Sequence, residues 1–128
     1  MALQVCGKIN YPMEINKEKF SGCLIGQCLG DALGFPVERY PPNVYRQYVN
    51  GFLKTKRAGE RGRAPFSFGQ YTDDSQLARA LLQSYVESKK FDPANYASRI
   101  AAIFRDGRIV GRGRATEEAA TRLIQGVP

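Results

Sequence analysis

The amino-acid sequence predicts an all-α fold. Apolar residues recur at helical spacing in several segments, two segments open with helix-start signals, and none shows the alternating pattern of a strand with a hairpin signal. With 128 residues, of which 43% are hydrophobic, the chain has room for one domain with a modest core. We therefore expect one helical domain, preceded by an irregular N-terminal leader over residues 1–16.

The first predicted helix runs from Lys17 to Leu33 and is ended by Gly34 and Pro36. Its apolar residues lie close to one face: Phe20, Leu24, Leu29 and Leu33, with Ile25 and Cys28 flanking them. Glycines recur at four-residue spacing along the same helix: Gly22, Gly26 and Gly30. Because glycine lowers helix stability, this spacing predicts a backbone packed closely against another element.

A short second helix is predicted after Pro41-Pro42, over about Asn43 to Val49. The segment from Asn50 to Gln70 is rich in Gly and Arg and has no helical pattern. Its length is typical of a functional or a disordered loop.

Three more helices complete the prediction. The third spans about Asp73 to Ser88. The fourth is announced by Asp92-Pro93, because Asp is a good helix cap and proline suits the first helical position. The fifth begins at Thr116 and stops at Gly126.

The positive charge is concentrated in two clusters. The chain has 19 Lys and Arg against 12 Asp and Glu, a formal net charge of +7. The clusters lie in the predicted loop and after the fourth helix: Lys54, Lys56, Arg57, Arg61 and Arg63, then Arg105, Arg108, Arg112 and Arg114. Such clusters attract phosphate groups, or they form a solvated basic surface. No RNA-recognition signature or zinc-finger spacing accompanies them, so a nucleic-acid partner is not favoured.

Composition excludes several catalytic classes. The chain contains no His, which removes Ser-His-Asp and Cys-His nucleophile systems, His-based zinc sites and imidazole bases. Proton transfer is left to carboxylates, Lys, Tyr, Cys or a metal-bound water. Because carboxylates are oxygen ligands, the metals favoured are Mg²⁺, Mn²⁺ or Ca²⁺, and not zinc.

Cysteine usage and hydropathy indicate a cytoplasmic protein without a membrane partner. Cys6, Cys23 and Cys28 form no C-x-x-C pair, and their odd number argues against a disulfide framework. No apolar run approaches the length of a membrane span, and the N-terminus lacks the apolar segment of a signal peptide.

The most informative segment is Tyr71-Thr72-Asp73-Asp74-Ser75, at the start of the third predicted helix. Adjacent carboxylates beside hydroxyls are the oxygen ligands that hard divalent cations take, and a helix start directs several side chains towards one point. The alternative is that Thr72 caps the helix while Asp73 and Asp74 complement its dipole. This segment alone leaves both interpretations open.

A second motif supports the metal interpretation. Residues 26–38 read GQCLGDALGFPVE, and Gly111-x-Gly113 is followed by Ala115-Thr116 and a short helix. With the segment from Tyr71 to Ser75, these motifs resemble the signatures of the ADP-ribosylglycohydrolase family, which removes ADP-ribose from modified proteins or related acceptors. The resemblance covers roughly Phe20 to Gly126 and favours metal binding over capping alone.

The resemblance implies roles for particular residues. In the family, the Thr-Asp-Asp side chains bind one or both ions of a paired Mg²⁺ or Mn²⁺ site, which implies Thr72, Asp73 and Asp74 as metal ligands here. The glutamate that closes the first signature lies near metals and substrate in some members, which implies a catalytic role for Glu38. We interpret Asp31 as structural, satisfying backbone groups at the end of its own helix. Paired cations can orient ribose hydroxyls, and nearby carboxylates stabilise the oxocarbenium-like transition state of glycoside cleavage.

The sequence also departs from the family pattern. Ser75 stands where threonine is common, and the chain contains no Asp-x-Asp, the motif that the family places in a later helix. A glycine-rich substrate loop with an Ala-Met-Arg run, expected soon after Gly126, is missing too. We therefore expect residues 17–128 to form the N-terminal part of an orthogonal helical bundle of this family, which is then incomplete.

Two functions stay open at this point. The first is a metal-dependent hydrolase acting on ADP-ribose or an ADP-ribosylated protein, present here as an N-terminal fragment that lacks the second metal motif. The second is a non-catalytic short relative that acts as a binding or structural protein. For a truncated chain, apolar helix faces left without partners predict self-association.

Overall fold

A computed structural model describes residues 16–57 and 62–126. The predicted leader therefore lies outside the described residues, except for Asn16. The helices are α1 (Lys17–Gly34), α2 (Pro42–Tyr48), α3 (Asp73–Ser88), α4 (Pro93–Arg105) and α5 (Arg114–Ile124). A 3₁₀ turn (Phe35–Val37) follows α1, and a π-helical turn (Val49–Leu53) extends α2. Within these ranges there is no strand, only an isolated bridge between Arg63 and Phe66, so the all-α prediction is confirmed.

Local capping explains where several helices begin. The Asn16 side chain accepts hydrogen bonds from the N–H groups of Glu18 and Lys19 at 3.0 and 3.1 Å. At the start of α4, the Asp92 carboxylate accepts from the Asn95 N–H at 3.0 Å. Both contacts satisfy backbone donors that a helix start leaves unpaired.

Two predicted boundaries were wrong. Helix α5 begins at Arg114 and not at Thr116, because Gly113 is extended and its carbonyl accepts the first helical bond, from the Glu117 N–H at 3.0 Å. The predicted loop also starts too early, because Asn50 lies within the π-helical turn that continues α2.

Helices α3, α4 and α5 pack through small side chains. Ala80, Ala101 and Ala120, one from each helix, are at most 6% exposed. Small residues at these positions let neighbouring helix backbones approach closely. Helix α4 is the central element of this group, because it packs against both α3 and α5.

Helix α1 has no buried residue. Ile25 and Leu29 are 60% and 55% exposed. A Cβ added to Gly22, Gly26 or Gly30 would have no neighbouring atom within 4 Å. The predicted close packing of these glycines is therefore not present among the described residues. None of the helices in these ranges combines the length and apolarity needed to cross a bilayer.

Candidate active site

Asp31 connects the end of α1 to the start of α3. Its carboxylate accepts hydrogen bonds from the Thr72 N–H at 2.8 Å, the Thr72 hydroxyl at 2.7 Å and the Ser75 N–H at 3.2 Å. Thr72, at the N-cap position, makes no side-chain capping bond itself. Asp31 is thus structural, as interpreted from the sequence, but it satisfies the backbone of α3 and not of its own helix. The interpretation of Thr72 as the capping side chain is wrong.

The segment after α4 docks onto the first turn of α3. The Asp73 N–H donates to the Val110 carbonyl at 2.8 Å, while the Gln76 side chain accepts from the Val110 N–H at 3.0 Å and donates to the Arg108 carbonyl at 2.7 Å. Gly111 has a positive φ of 73°, and a Cβ there would lie 3.1 Å from the Thr72 Cβ. Glycine is therefore required for this close approach. The Gly111-x-Gly113 segment and the Thr-Asp-Asp motif come together in this way.

Asp73 is a half-buried carboxylate in a negative environment. Burial raises its pKa above the usual value, and the charges of Asp74 and Glu38 raise the pKa further. A hydrogen bond from the Gly113 N–H acts in the opposite direction. Asp73 therefore lies where Glu38 and Asp74 both repel its negative charge.

Glu38 follows the 3₁₀ turn at the end of α1. The next residue, Arg39, has a positive φ of 66°, which turns the chain away immediately after Glu38. Two arginines reach the Glu38 carboxylate: Arg63 Nη1 lies 3.3 Å from Oε2, and Arg39 Nε lies 3.6 Å from Oε1. Glu38 is thus an oriented but partly exposed carboxylate, with 46% of its side chain accessible.

A cavity of about 790 Å³ lies beside these groups. Glu38, Thr72 and Asp74 all line it, and Asp73 is not among its lining residues. Apolar and aromatic side chains also line it, among them Leu33, Tyr48 and Leu53. The Tyr48 hydroxyl donates to the Leu33 carbonyl at 3.0 Å, which fixes α2 against the end of α1. The cavity therefore combines carboxylate and apolar lining residues.

The candidate ligands are of the chemical kind that a hard divalent cation binds, but there are too few of them to form a complete site. The mutual repulsion at Asp73 is what a bound cation would relieve, and the ligands are carboxylate and hydroxyl oxygens. However, the described part of the chain contains no group of three His, Cys, Asp or Glu side chains arranged to hold a metal ion. The assignment of Thr72, Asp73 and Asp74 as ligands stays a prediction.

Sequence reasoning missed two contributors to this region. Arg63 was noted only as one member of a basic cluster, and its contact with Glu38 was not foreseen. The Gln27 side chain donates to the Asp74 carbonyl at 3.3 Å. No local signal predicts either contact, because each joins residues far apart along the chain.

Comparison with known proteins identifies the family. Residues 12–128 match the sequence model of the ADP-ribosylglycohydrolase family, and the chain belongs to this family. No solved structure matches the chain.

Several curated proteins are similar to the chain. An uncharacterized protein of Archaeoglobus fulgidus is 32% identical over 114 residues, which is 87% of this chain and 35% of that protein. The ADP-ribosylarginine hydrolase Tri1 of Pseudomonas putida is 33% identical, over 76% of this chain and 24% of its own length. The ADP-ribosylhydrolase ARH3 of Xenopus tropicalis is 29% identical, over 89% of this chain and 31% of its own. The chain thus spans about a third or less of the relatives it matches.

Proposed function

We propose that this chain provides one side of the active site of a hydrolase that removes ADP-ribose from a modified protein or related acceptor. The observation that carries this proposal is the grouping of three carboxylates, Glu38, Asp73 and Asp74, around the start of α3. Family membership supports the same reaction, as do relatives named for ADP-ribosyl hydrolysis.

Each residue would act through its own chemistry. Glu38 would face the reacting bond, where a carboxylate stabilises developing positive charge and accepts a proton. Thr72, Asp73 and Asp74 would hold Mg²⁺ or Mn²⁺, with two ions in the complete site. The bound ions would supply Lewis-acid polarisation of the ribose oxygens. Because the Thr72 hydroxyl donates to Asp31, its lone pairs stay available to a cation.

A second candidate is a non-catalytic protein that binds ADP-ribosyl groups or has a structural role. The lack of a three-residue metal cluster among residues 16–57 and 62–126 favours this alternative. Both candidates use the same cavity, and they differ in whether a bond is cleaved.

Metal binding by the purified chain is the first test. We expect weak Mn²⁺ binding in a calorimetric titration, because Mg²⁺-like ions held by few protein ligands keep most of their waters. Asp73→Asn should remove it. Asp106→Asn is the matched control, because that exposed carboxylate pairs only with Arg108 in the contacts described. A chain that binds no Mn²⁺, or that binds it equally after Asp73→Asn, contradicts the proposed ligands.

Hydrolysis is the second test. We expect the chain alone to release little or no ADP-ribose from ADP-ribosyl-arginine, because the described ligands do not complete a paired metal site. A fusion of this chain to the remaining part of the Archaeoglobus fulgidus protein, which this chain does not match, should release ADP-ribose in the presence of Mn²⁺. Glu38→Gln and Asp73→Asn should each abolish this release. Substrate binding without release by a folded fusion would favour the non-catalytic candidate. Strong Mn²⁺-dependent release by the chain alone would show that the described ligands suffice.

A further inference from the structure

Before α3, the chain forms a turn from Arg63 to Phe66 that lies against the 3₁₀ turn after α1. The Phe66 N–H donates to the Arg63 carbonyl at 2.7 Å, which closes the turn. A Cβ at Gly62 would lie only 2.5 Å from the Phe66 carbonyl oxygen, so glycine is needed there. The rings of Phe35 and Phe66 meet with their centroids 5.7 Å apart. The turn thereby brings Arg63 next to the segment that carries Glu38.

Three contacts fix the Arg63 guanidinium. Its centre lies 5.0 Å from the centroid of the Phe35 ring, within the range of a cation–π interaction. Its Nη1 atom donates to the Phe35 carbonyl at 3.2 Å and to Glu38 Oε2 at 3.3 Å. A planar guanidinium held by both a ring and a carbonyl has few remaining orientations. Its N–H group is therefore directed at one particular oxygen of Glu38.

Arg39 contacts the other oxygen much more loosely. Its side chain is 76% exposed, against 35% for Arg63, and its Nε atom is 3.6 Å from Glu38 Oε1. An exposed pair at this distance contributes little, because water screens it and the long side chain loses freedom. Of the two arginines, Arg63 thus makes the closer and better shielded contact with Glu38.

One nearby carboxylate opposes this position of Glu38. The charges of Asp73 and Glu38 repel each other, and such repulsion favours rotation of a partly exposed side chain towards water. We propose that Arg63 is a positioning residue that holds the Glu38 carboxylate at the cavity wall against this repulsion. The inference rests on the proposed function of Glu38, but the contact itself can be tested without catalysis.

Side-chain NMR of the isotope-labelled, metal-free chain tests the inference. We expect separate resonances for the two Arg63 Nη atoms, since a fixed guanidinium rotates slowly. Glu38→Gln weakens one of the three contacts and should reduce their separation. Arg63→Met keeps apolar cover on Phe35 but removes the charge and the donors. This variant should shift the Glu38 Cδ resonance towards the position of the Cδ resonance of Glu18, an exposed glutamate. Arg63→Lys, which restores charge without the planar fork, should restore part of the difference.

Arg39→Met is the matched control and should leave the Glu38 Cδ resonance unchanged. The inference is wrong if Arg63→Met leaves that resonance unchanged, or if Arg39→Met moves it as far. If Arg63→Met disturbs the amide resonances of the turn, the Arg63 Nη resonances of Glu38→Gln become the deciding measurement, because that variant leaves Arg63 and the turn in place. Failure of the proposed function would appear separately, as a chain whose Asp73 and Asp74 resonances are not broadened by added Mn²⁺.

Discussion

The carboxylate of Asp31 receives two hydrogen bonds from Thr72, one from its backbone N–H at 2.8 Å and one from its hydroxyl at 2.7 Å. These bonds join the end of α1 to the start of α3 across 41 positions of sequence. Thr72 itself is only 5% exposed. The two family motifs are therefore held together by a partly buried contact, and the orientation of the Thr-Asp-Asp segment depends on a residue of the other motif.

Removing the Asp31 charge should destabilise this junction. We expect Asp31→Asn to lower the free energy of unfolding by about 2 kcal/mol, because one carboxylate oxygen is replaced by a donor that faces other donors. Urea denaturation of the parent and the variant measures the difference. The exposed Asp106→Asn should change stability by less than about 0.5 kcal/mol. Equal stability of Asp31→Asn and the parent would contradict the structural role of Asp31.

The environment of Asp73 predicts an unusual pH dependence. Because the pKa of Asp73 is raised in the folded chain, the unfolded chain loses this proton at lower pH than the folded chain does. Stability therefore falls as the pH rises from the usual carboxyl pKa through the folded-state pKa, and the loss persists above it. Asp73→Asn removes this loss and keeps an acceptor for the Gly113 N–H.

The variant should therefore unfold at a higher temperature than the parent at neutral pH. The difference should disappear at a pH below the usual carboxyl range, where Asp73 is neutral in both states. Thermal unfolding followed by circular dichroism at both pH values measures it. A variant that is less stable at neutral pH would indicate that the bond from Gly113 outweighs the burial and repulsion of the charge.

The helices were predictable from the sequence where their signals are local. The start of α4 follows from the local cap Asp92-Pro93, and α3 begins at Asp73 as predicted, with Asp73 and Asp74 in the first turn, where acidic side chains complement the helix dipole. The start of α5 was misplaced because a glycine, Gly113, occupies its N-cap position without a side chain to indicate it.

The contacts of the candidate site could not be predicted in the same way. Asp31 was recognised as structural, but its partner in α3 was not, because nothing near Asp31 in sequence indicates which helix start it satisfies. The loop was expected to be either functional or disordered, and the cation–π contact of Arg63 with Phe35 appears only once both segments are folded. Composition and motifs predict a kind of chemistry, and tertiary packing decides how the residues concerned are arranged.

The glycines of α1 and of the loop should respond in opposite ways to alanine. Gly26→Ala should raise the free energy of unfolding by about 1 kcal/mol, because its Cβ meets no atom within 4 Å and alanine is the better helix former. Gly62→Ala should lower it by roughly 1–3 kcal/mol, because its Cβ would lie 2.5 Å from the Phe66 carbonyl oxygen. Urea denaturation compares both with the parent. Destabilisation by Gly26→Ala would show that another element packs against this face in solution.

The exposed face of α1 predicts self-association. Ile25, Leu29 and Leu33, one turn apart on the same face, are 60%, 55% and 37% exposed, and apolar side chains grouped on one helix face gain free energy when they are buried together. We expect the sedimentation coefficient of the chain to rise with concentration, despite its net charge of +7.

Leu29→Lys should reduce this rise by interrupting the apolar face. Gln27→Lys adds the same charge at an exposed polar position on the opposite side of α1 and should have a smaller effect. A chain that stays monomeric at all concentrations would contradict the prediction, and equal effects of the two variants would assign the association to net charge instead of the apolar face.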